Sequence, residues 1–272
     1  MSAYTSLWAK SDPPHPLWCH LLDVGAVIEA FWDAVLSEGA HRRMARALGL
    51  SAGEARILII FLGALHDIGK AAPQFQFQDE ALAAQTKDAG FGISRFVKRE
   101  PRGAIGAEIL YRHLTDTCAW EEKVAHDVTT AIGAHHGIVE GIDQRLFPSQ
   151  GIWHEAHHDL IAMVETAFGL GDISSVRPGH LDRVGLCEIA GLISYCDWIG
   201  SASEYFTQGD YVLLFTGVIS VEEYVTRTRE NAKRALRESG WRRTPSMANR
   251  DWGGLFGDGF APNELQRTGT CQ

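Results

Sequence analysis

The stretch ARILIIFLGALHD, residues 55–67, decides how this chain folds. It is apolar on almost every side of a helical wheel, so it predicts a central, fully buried helix rather than a half-solvated one. Ser51 followed by Glu54 has the spacing of a capping box and marks where that helix begins. The run closes on His66 and Asp67, an imidazole and a carboxylate side by side. Lys70 follows three residues after Asp67, on the same face if the turn continues.

Outward from this segment, nearly every periodic stretch is helical. Residues 20–37 place apolar side chains at helical spacing, and further helices are expected at 103–115, 121–135, 155–168, 180–202 and 221–238. Only YVLLF at 211–215 reads as a short strand. Breaks are expected at 71–100, 137–153 and 169–179. From Trp241 the chain turns Gly-rich and aperiodic, so 241–272 reads as a linker or extended tail after a main domain of residues 1–240. The expected fold class is all-α, with a short irregular or β-like segment and that tail.

Composition narrows the class. At 272 residues with 45% hydrophobic and 22% charged side chains, the chain can bury a substantial core. No run approaches a membrane span, and the N-terminus lacks a signal-peptide layout. Five scattered cysteines, never in a CxxC pair, fit a reducing cytoplasm and argue against a disulfide framework. A net charge of −9 argues against broad electrostatic adhesion to nucleic acid but leaves a local binding surface open. The basic run from Tyr224 to Arg243 is either a solvated helix face or a phosphate-tracking or partner surface.

Three separated clusters of metal-ligand residues, His66-Asp67, His135-His136 and Asp197, suggest a metal-dependent phosphohydrolase. Hydrolysing a phosphodiester needs an activated water and neutralised phosphoryl oxygens, and a divalent metal supplies both. Mixed His and Asp ligands suit iron, manganese, nickel or zinc better than calcium. Asp67 can bridge two ions, and Lys70 can hold a substrate phosphate or orient Asp67. His20, at the head of the first long helix, reads either as a core histidine or as a ligand whose other ring nitrogen donates to Asp23. Asp197 sits in an apolar helix, where a lone carboxylate is costly unless paired or metal-bound. His154, His157 and His158 have chelating spacing, but their polar surroundings predict an exposed helix face. His15, His41, His113, His126 and His180 lack any partner pattern and read as structural.

HLLDVGAV, LGALHDIGKAAPQFQ, RGAIGAE, AHHGI and CDWIGS, in that order, resemble the HD nuclease domain of the CRISPR-associated helicase–nuclease of type I systems, most of all the type I-E group. The resemblance spans roughly residues 5–265. It implies an HD-domain helical bundle that cuts single-stranded DNA with one or two divalent ions (Fe, Mn, Ni or Co, with Mg a further candidate). It implies that His20, His66, Asp67 and Asp197 hold the first ion. Asp67 would bridge to a second ion that His135 and His136 also bind, and Lys70 matches the family's active-site lysine. It further implies work beside an RNA-guided surveillance complex that has opened the target duplex.

Two departures stand out. Where the family usually carries a further histidine, this chain has Arg102, whose guanidinium offers no lone pair to a metal. Arg102 would then accompany a weak or absent second ion or one held by another residue, mark an impaired domain kept for binding, hold the scissile phosphate in a one-metal site, or simply face solvent. The helicase is also missing: GFAPNELQ resembles its entry, yet there is no GxxxxGK[ST] motif. The chain then reads as a stand-alone nuclease subunit with a separate helicase as a candidate partner, as a truncated product, or as a decoy of the full enzyme. The competing functions are a metal-poor binding or regulatory module of the CRISPR machinery, and an HD phosphohydrolase acting on a nucleotide.

Overall fold

The computed structural model describes residues 3–92, 102–135, 137, 151–206, 214–215 and 218–243. These residues form a helical bundle with one small antiparallel hairpin, β1 (Trp8–Ser11) and β2 (Pro14–Pro16). The helices are α1 (Leu17–Ala34), α2 (Glu38–Leu48), α3 (Ala52–Ala64), α4 (Pro73–Gln76), α5 (Glu80–Asp88), α6 (Arg102–Arg112), α7 (Glu122–Gly133), α8 (Ile152–Phe168), α9 (Arg183–Gly200) and α10 (Val221–Glu238). No single helix among them is long and apolar enough to cross a membrane.

The apolar run at 55–67 does form a buried helix. The Ser51 hydroxyl accepts from the Glu54 amide, and the Glu54 carboxylate accepts from the Ser51 amide, so the capping box closes on both sides. Every residue from Leu58 to Leu65 is buried. Helix α1 is buried almost as completely and packs against α3, α9 and α10.

Three expectations need correcting. The segment 71–100, read as a break, contains α4 and α5; Asp79 caps α5 by accepting from the Ala81 and Leu82 amides. Helix α2 was not anticipated, because half of it is solvated and its inward face at 40, 44, 45, 47 and 48 is mostly alanine. It is fixed instead by the Ser37 side chain at its start and left-handed Gly49 at its end. The strands lie at 8–16 rather than at 211–215: Leu214 and Phe215 are helical, and 211–213 lie outside the described residues. The tail beyond Arg243 also lies outside them.

A seam of glycines sets the spacing between α6, α7 and the turn after α3. A Cβ on Gly69 would collide with the Arg102 carbonyl and the Gly106 amide, and one on Gly103 with the Gly133 carbonyl. Backbone therefore meets backbone, and α6 lies directly against the turn that carries Asp67.

Gly69→Ala must push α6 outward, and overpacking of this kind costs about 1–3 kcal/mol. Thermal unfolding should fall by roughly 2–10 °C. Gly53→Ala, where the added methyl meets open space, should leave the midpoint unchanged or slightly raised; equal losses in both variants would refute the seam.

Candidate metal centre

Helix α3 stops just before the two residues that matter. The Leu65 amide still bonds Phe61, but Asp67 turns out of the helix at φ −107°, ψ 18°, and Ile68–Lys70 form a 3-10 turn. That break lets two sequence neighbours face the same point, which a continuing helix would forbid. His66 Nδ1 donates to the Gly63 carbonyl at 2.9 Å, leaving Nε2 as the acceptor nitrogen turned to the carboxylates. His135, just past α7, repeats the device: its Nδ1 donates to the Ile132 carbonyl at 2.7 Å.

His20 on α1, His66 and Asp67 after α3, and Asp197 in the last turn of α9 come together here. One ligand atom from each lies within 4.8 Å of the other three, and all four residues are buried. His20 Nε2 is 3.2 Å from Asp67 Oδ2 and 3.6 Å from Asp197 Oδ1. His66 Nε2 is 3.5 Å and 3.4 Å from the same two oxygens. Lys70 Nζ contacts Asp67 Oδ2 at 2.7 Å. The other oxygen, Oδ1, faces Arg102 Nε and His135 Nε2, each at 3.8 Å. The two oxygens of Asp67 therefore look into different halves of the site.

Charge tells the same story. Burial opposes ionisation of Asp67, but Lys70, His66 and His20 overcome it and hold its carboxyl well below the usual range. Burial likewise opposes ionisation of Asp197, yet the His66 ring 3.4 Å away, then His20, hold it low. Burial, then the Lys70 ammonium, push His20 down to about 3. Burial also disfavours a charged His66, yet Asp67 and Asp197 raise its pKa on balance. Two buried carboxylates thus draw positive charge onto a group that burial would otherwise keep neutral.

The donor set fits a transition metal. His66 Nε2 is fully buried without a hydrogen-bond partner, although two carboxylate oxygens lie 3.4 and 3.5 Å away. Two imidazoles and two carboxylates on one centre match iron, manganese or nickel chemistry better than an all-oxygen cage. His136 lies outside the described residues.

Two expectations fail. Asp23 does not serve His20; it accepts from the Tyr224 hydroxyl at 3.1 Å and from Thr228, and pairs with His15 Nε2 at 2.9 Å. His20 Nδ1 is left without a hydrogen bond. The exposed face expected for the α8 histidines holds for His154 and His158 but not for His157, which is buried and donates from Nε2 to the Ala71 carbonyl at 2.6 Å. Its three-residue offset from His154 carried it onto the inner side of the helix.

Several supporting residues were not anticipated. Gln76 is wholly buried; it exchanges hydrogen bonds with the Trp8 backbone at 3.1 and 2.8 Å and donates to the Lys70 carbonyl at 2.8 Å. The N-terminal hairpin thereby braces the lysine. Ser201 donates to Asp197 Oδ1 at 3.1 Å, and Lys10 Nζ donates to the Ser201 carbonyl at 2.9 Å. A glutamine in PQFQ and a serine closing CDWIGS were the only local signals.

Residues 8–206 match the family model described as Cas3, HD domain. The chain is 28% identical over 275 residues to a CRISPR-associated endonuclease/helicase Cas3 of Thermus thermophilus, covering 98% of this chain and 29% of that protein. Among solved structures it is similar to a CRISPR-associated protein, with 32% identity, a TM-score of 0.79, 94% of this chain covered and 29% of that one. It is also similar to the Thermus thermophilus Cas3 HD domain crystallised in the presence of Ni2+, with 26% identity, a TM-score of 0.63, and 89% and 92% of the two chains covered.

Ligand binding to the native state alone stabilises by about 2.7 kcal/mol at a hundredfold excess over Kd. Mn2+ or Ni2+ should therefore raise the melting midpoint of the wild-type protein by several degrees, reversibly with chelator. The shift should vanish in Asp197→Ala and His20→Ala and persist in His154→Ala; a shift retained in the first two variants would move the ion elsewhere.

Proposed function

Because the chain belongs to the Cas3 HD-domain family, we propose that it is a metal-dependent nuclease cleaving single-stranded DNA in type I CRISPR interference. The observation that carries this reading is the buried convergence of His20, His66, Asp67 and Asp197. The chain spans 29% of the Thermus relative it matches. Residues 1–240 are the HD unit in this reading, and 241–272 the linker toward a helicase acting alongside it. An RNA-guided surveillance complex would supply the opened strand in the cytoplasm. That relative is a CRISPR-associated endonuclease/helicase by name, which supports this assignment.

His20, His66, Asp67 and Asp197 would hold a divalent transition ion, with iron, manganese, nickel, cobalt and magnesium as candidates. When bound, such an ion lowers the pKa of a coordinated water and acts as a Lewis acid on the phosphoryl group. The protein's own groups do the rest. Lys70 Nζ, on Asp67 Oδ2 at 2.7 Å, keeps that carboxylate ionised and oriented and presents positive charge to a phosphate. His135, with its Nδ1 proton committed to Ile132, offers Nε2 as an acceptor for a proton of the attacking water. As the water oxygen bonds phosphorus, the P–O bond to the leaving sugar oxygen breaks, and burial of the ligands limits competing solvent around them.

Circular single-stranded DNA with Mn2+ or Ni2+ is the substrate that tests this. Asp67→Ala should lower cleavage by at least about a hundredfold, the scale of losing a ligand or its support. His158→Ala, on the exposed face of α8, should cleave like wild type. Dephosphorylation of nucleotides with circular DNA left intact would replace the nuclease reading with a nucleotide phosphohydrolase. DNA intact with every metal, alongside retained binding to the surveillance complex, would leave a binding module.

A further inference from the structure

We propose that the aromatic row Trp198, Tyr195 and Trp241, with the basic groove beside it, binds single-stranded DNA, bases on the rings and phosphates on the cations. This rests on the nuclease reading and gives the strand a place outside the metal centre. Trp198 is 71% exposed and Trp241 39%, and the two flank one phenol, Tyr195. Trp198 directly follows Asp197 on α9. It also stands one helical turn beyond Ser194, whose hydroxyl donates to the His135 carbonyl. The row therefore begins beside the centre.

The rings are held in place. Tyr195 and Trp198 are three residues apart on one face of α9, with centroids 6.5 Å apart. Trp241, just beyond α10, lies 5.1 Å from Tyr195 and 5.2 Å from Phe31, and its Nε1 donates to the Tyr195 hydroxyl at 2.5 Å. Single exposed apolar side chains are ordinary, but a contiguous row rimmed by charge marks a binding surface. Rings fixed in this way suit unpaired bases, since every base offers a π-face whatever its sequence.

Charge points to the same occupant. A groove of about 590 Å³ between α1 and the end of α10 has Lys233, Arg237, Trp241 and Arg242 along its wall, with Glu29 and Asp33 opposite. The two carboxylates are already answered: Glu29 accepts from Arg229, and Asp33 accepts from Arg56 through both oxygens. The basic run at 224–243 thus divides. Arg229 is paired, Arg227 lies over Tyr224 and Arg234 donates to the Tyr205 carbonyl, whereas Lys233, Arg237 and Arg242 face solvent. On a chain of net charge −9, such a strip draws a polyanion to one place. An acidic peptide would engage the cations and leave the rings unused. A single strand engages both, and Trp241 belongs to both.

Fluorescence anisotropy of labelled oligothymidylate, with the full chain in EDTA, reads binding without cleavage. Trp198→Ala should weaken Kd about tenfold, the scale of one lost base stack, and Trp198→Phe should recover most of it, with folding checked by circular dichroism. An abasic strand of the same length should bind wild type about tenfold more weakly than oligothymidylate, and Trp198→Ala should bind the two alike. Replacing Arg237 and Arg242 together by Ala should flatten the slope of log Kd against log salt by about 1.4, two phosphates at about 0.7 each. Arg42→Ala, an exposed cation on α2, should leave that slope unchanged. Equal binding of abasic and thymidylate strands by wild type, an unchanged Kd in Trp198→Ala, or no binding at all would overturn the proposal. Circular DNA left intact with every metal, alongside these binding losses, would overturn the nuclease reading alone.

Discussion

Burying the carboxylate of Asp67 is the constraint on which the rest of this structure depends. A carboxylate at 4% exposure is costly unless positive charge and hydrogen-bond donors surround it. The protein meets that cost with groups from four separate places: His20 from α1, Lys70 from the 3-10 turn, Arg102 from α6 and His135 from beyond α7. Each must arrive within a few ångströms of one side chain. The packing of the bundle can be read as the means of delivering them.

Two devices make the delivery possible. The first is a helix that ends on time: had α3 continued past Leu65, His66 and Asp67 would lie about 100° apart around its axis, and only one could face the site. The second is the glycine seam, which removes side chains between the turn and α6 so that Arg102 and Asp67 share a wall. Neither contributes a functional group. Both determine which functional groups can meet.

Much of the centre could be read from the chain because its signals are local conflicts. Asp197 is an acid inside an apolar helix, and His66-Asp67 is a polar pair at the end of an apolar one; each contradicts its surroundings strongly enough to stand out in one dimension. The supporting residues carry no such conflict. His157 looks like its neighbours in WHEAHHDL, and only the Ala71 carbonyl, 86 residues away in sequence, shows that it points inward. Gln76 and Trp8 lie 68 residues apart. Asp23 was misassigned for the same reason: helical spacing suggested His20, whereas Tyr224 and Thr228 reach it from α10, about 200 residues further on. Helical periodicity reports which face is buried, and it is silent on which distant backbone group that face will meet. The hairpin at 8–16 escaped for a related reason, since strands of four and three residues are too short for alternation to register.

The same reasoning explains why the cations around the centre are unequal. Lys10 is held on the Ser201 carbonyl, behind Asp197, and burial followed by the nearby Lys70 ammonium lowers its pKa. Lys70 is buried against Asp67 and rests over the Phe75 ring. Both are committed to protein partners that brace the carboxylates. Arg102 alone among the three has a large part of its side chain open to solvent. Lys10 and Lys70 thus brace the two carboxylates from within the bundle, whereas Arg102 reaches Asp67 from the solvent edge.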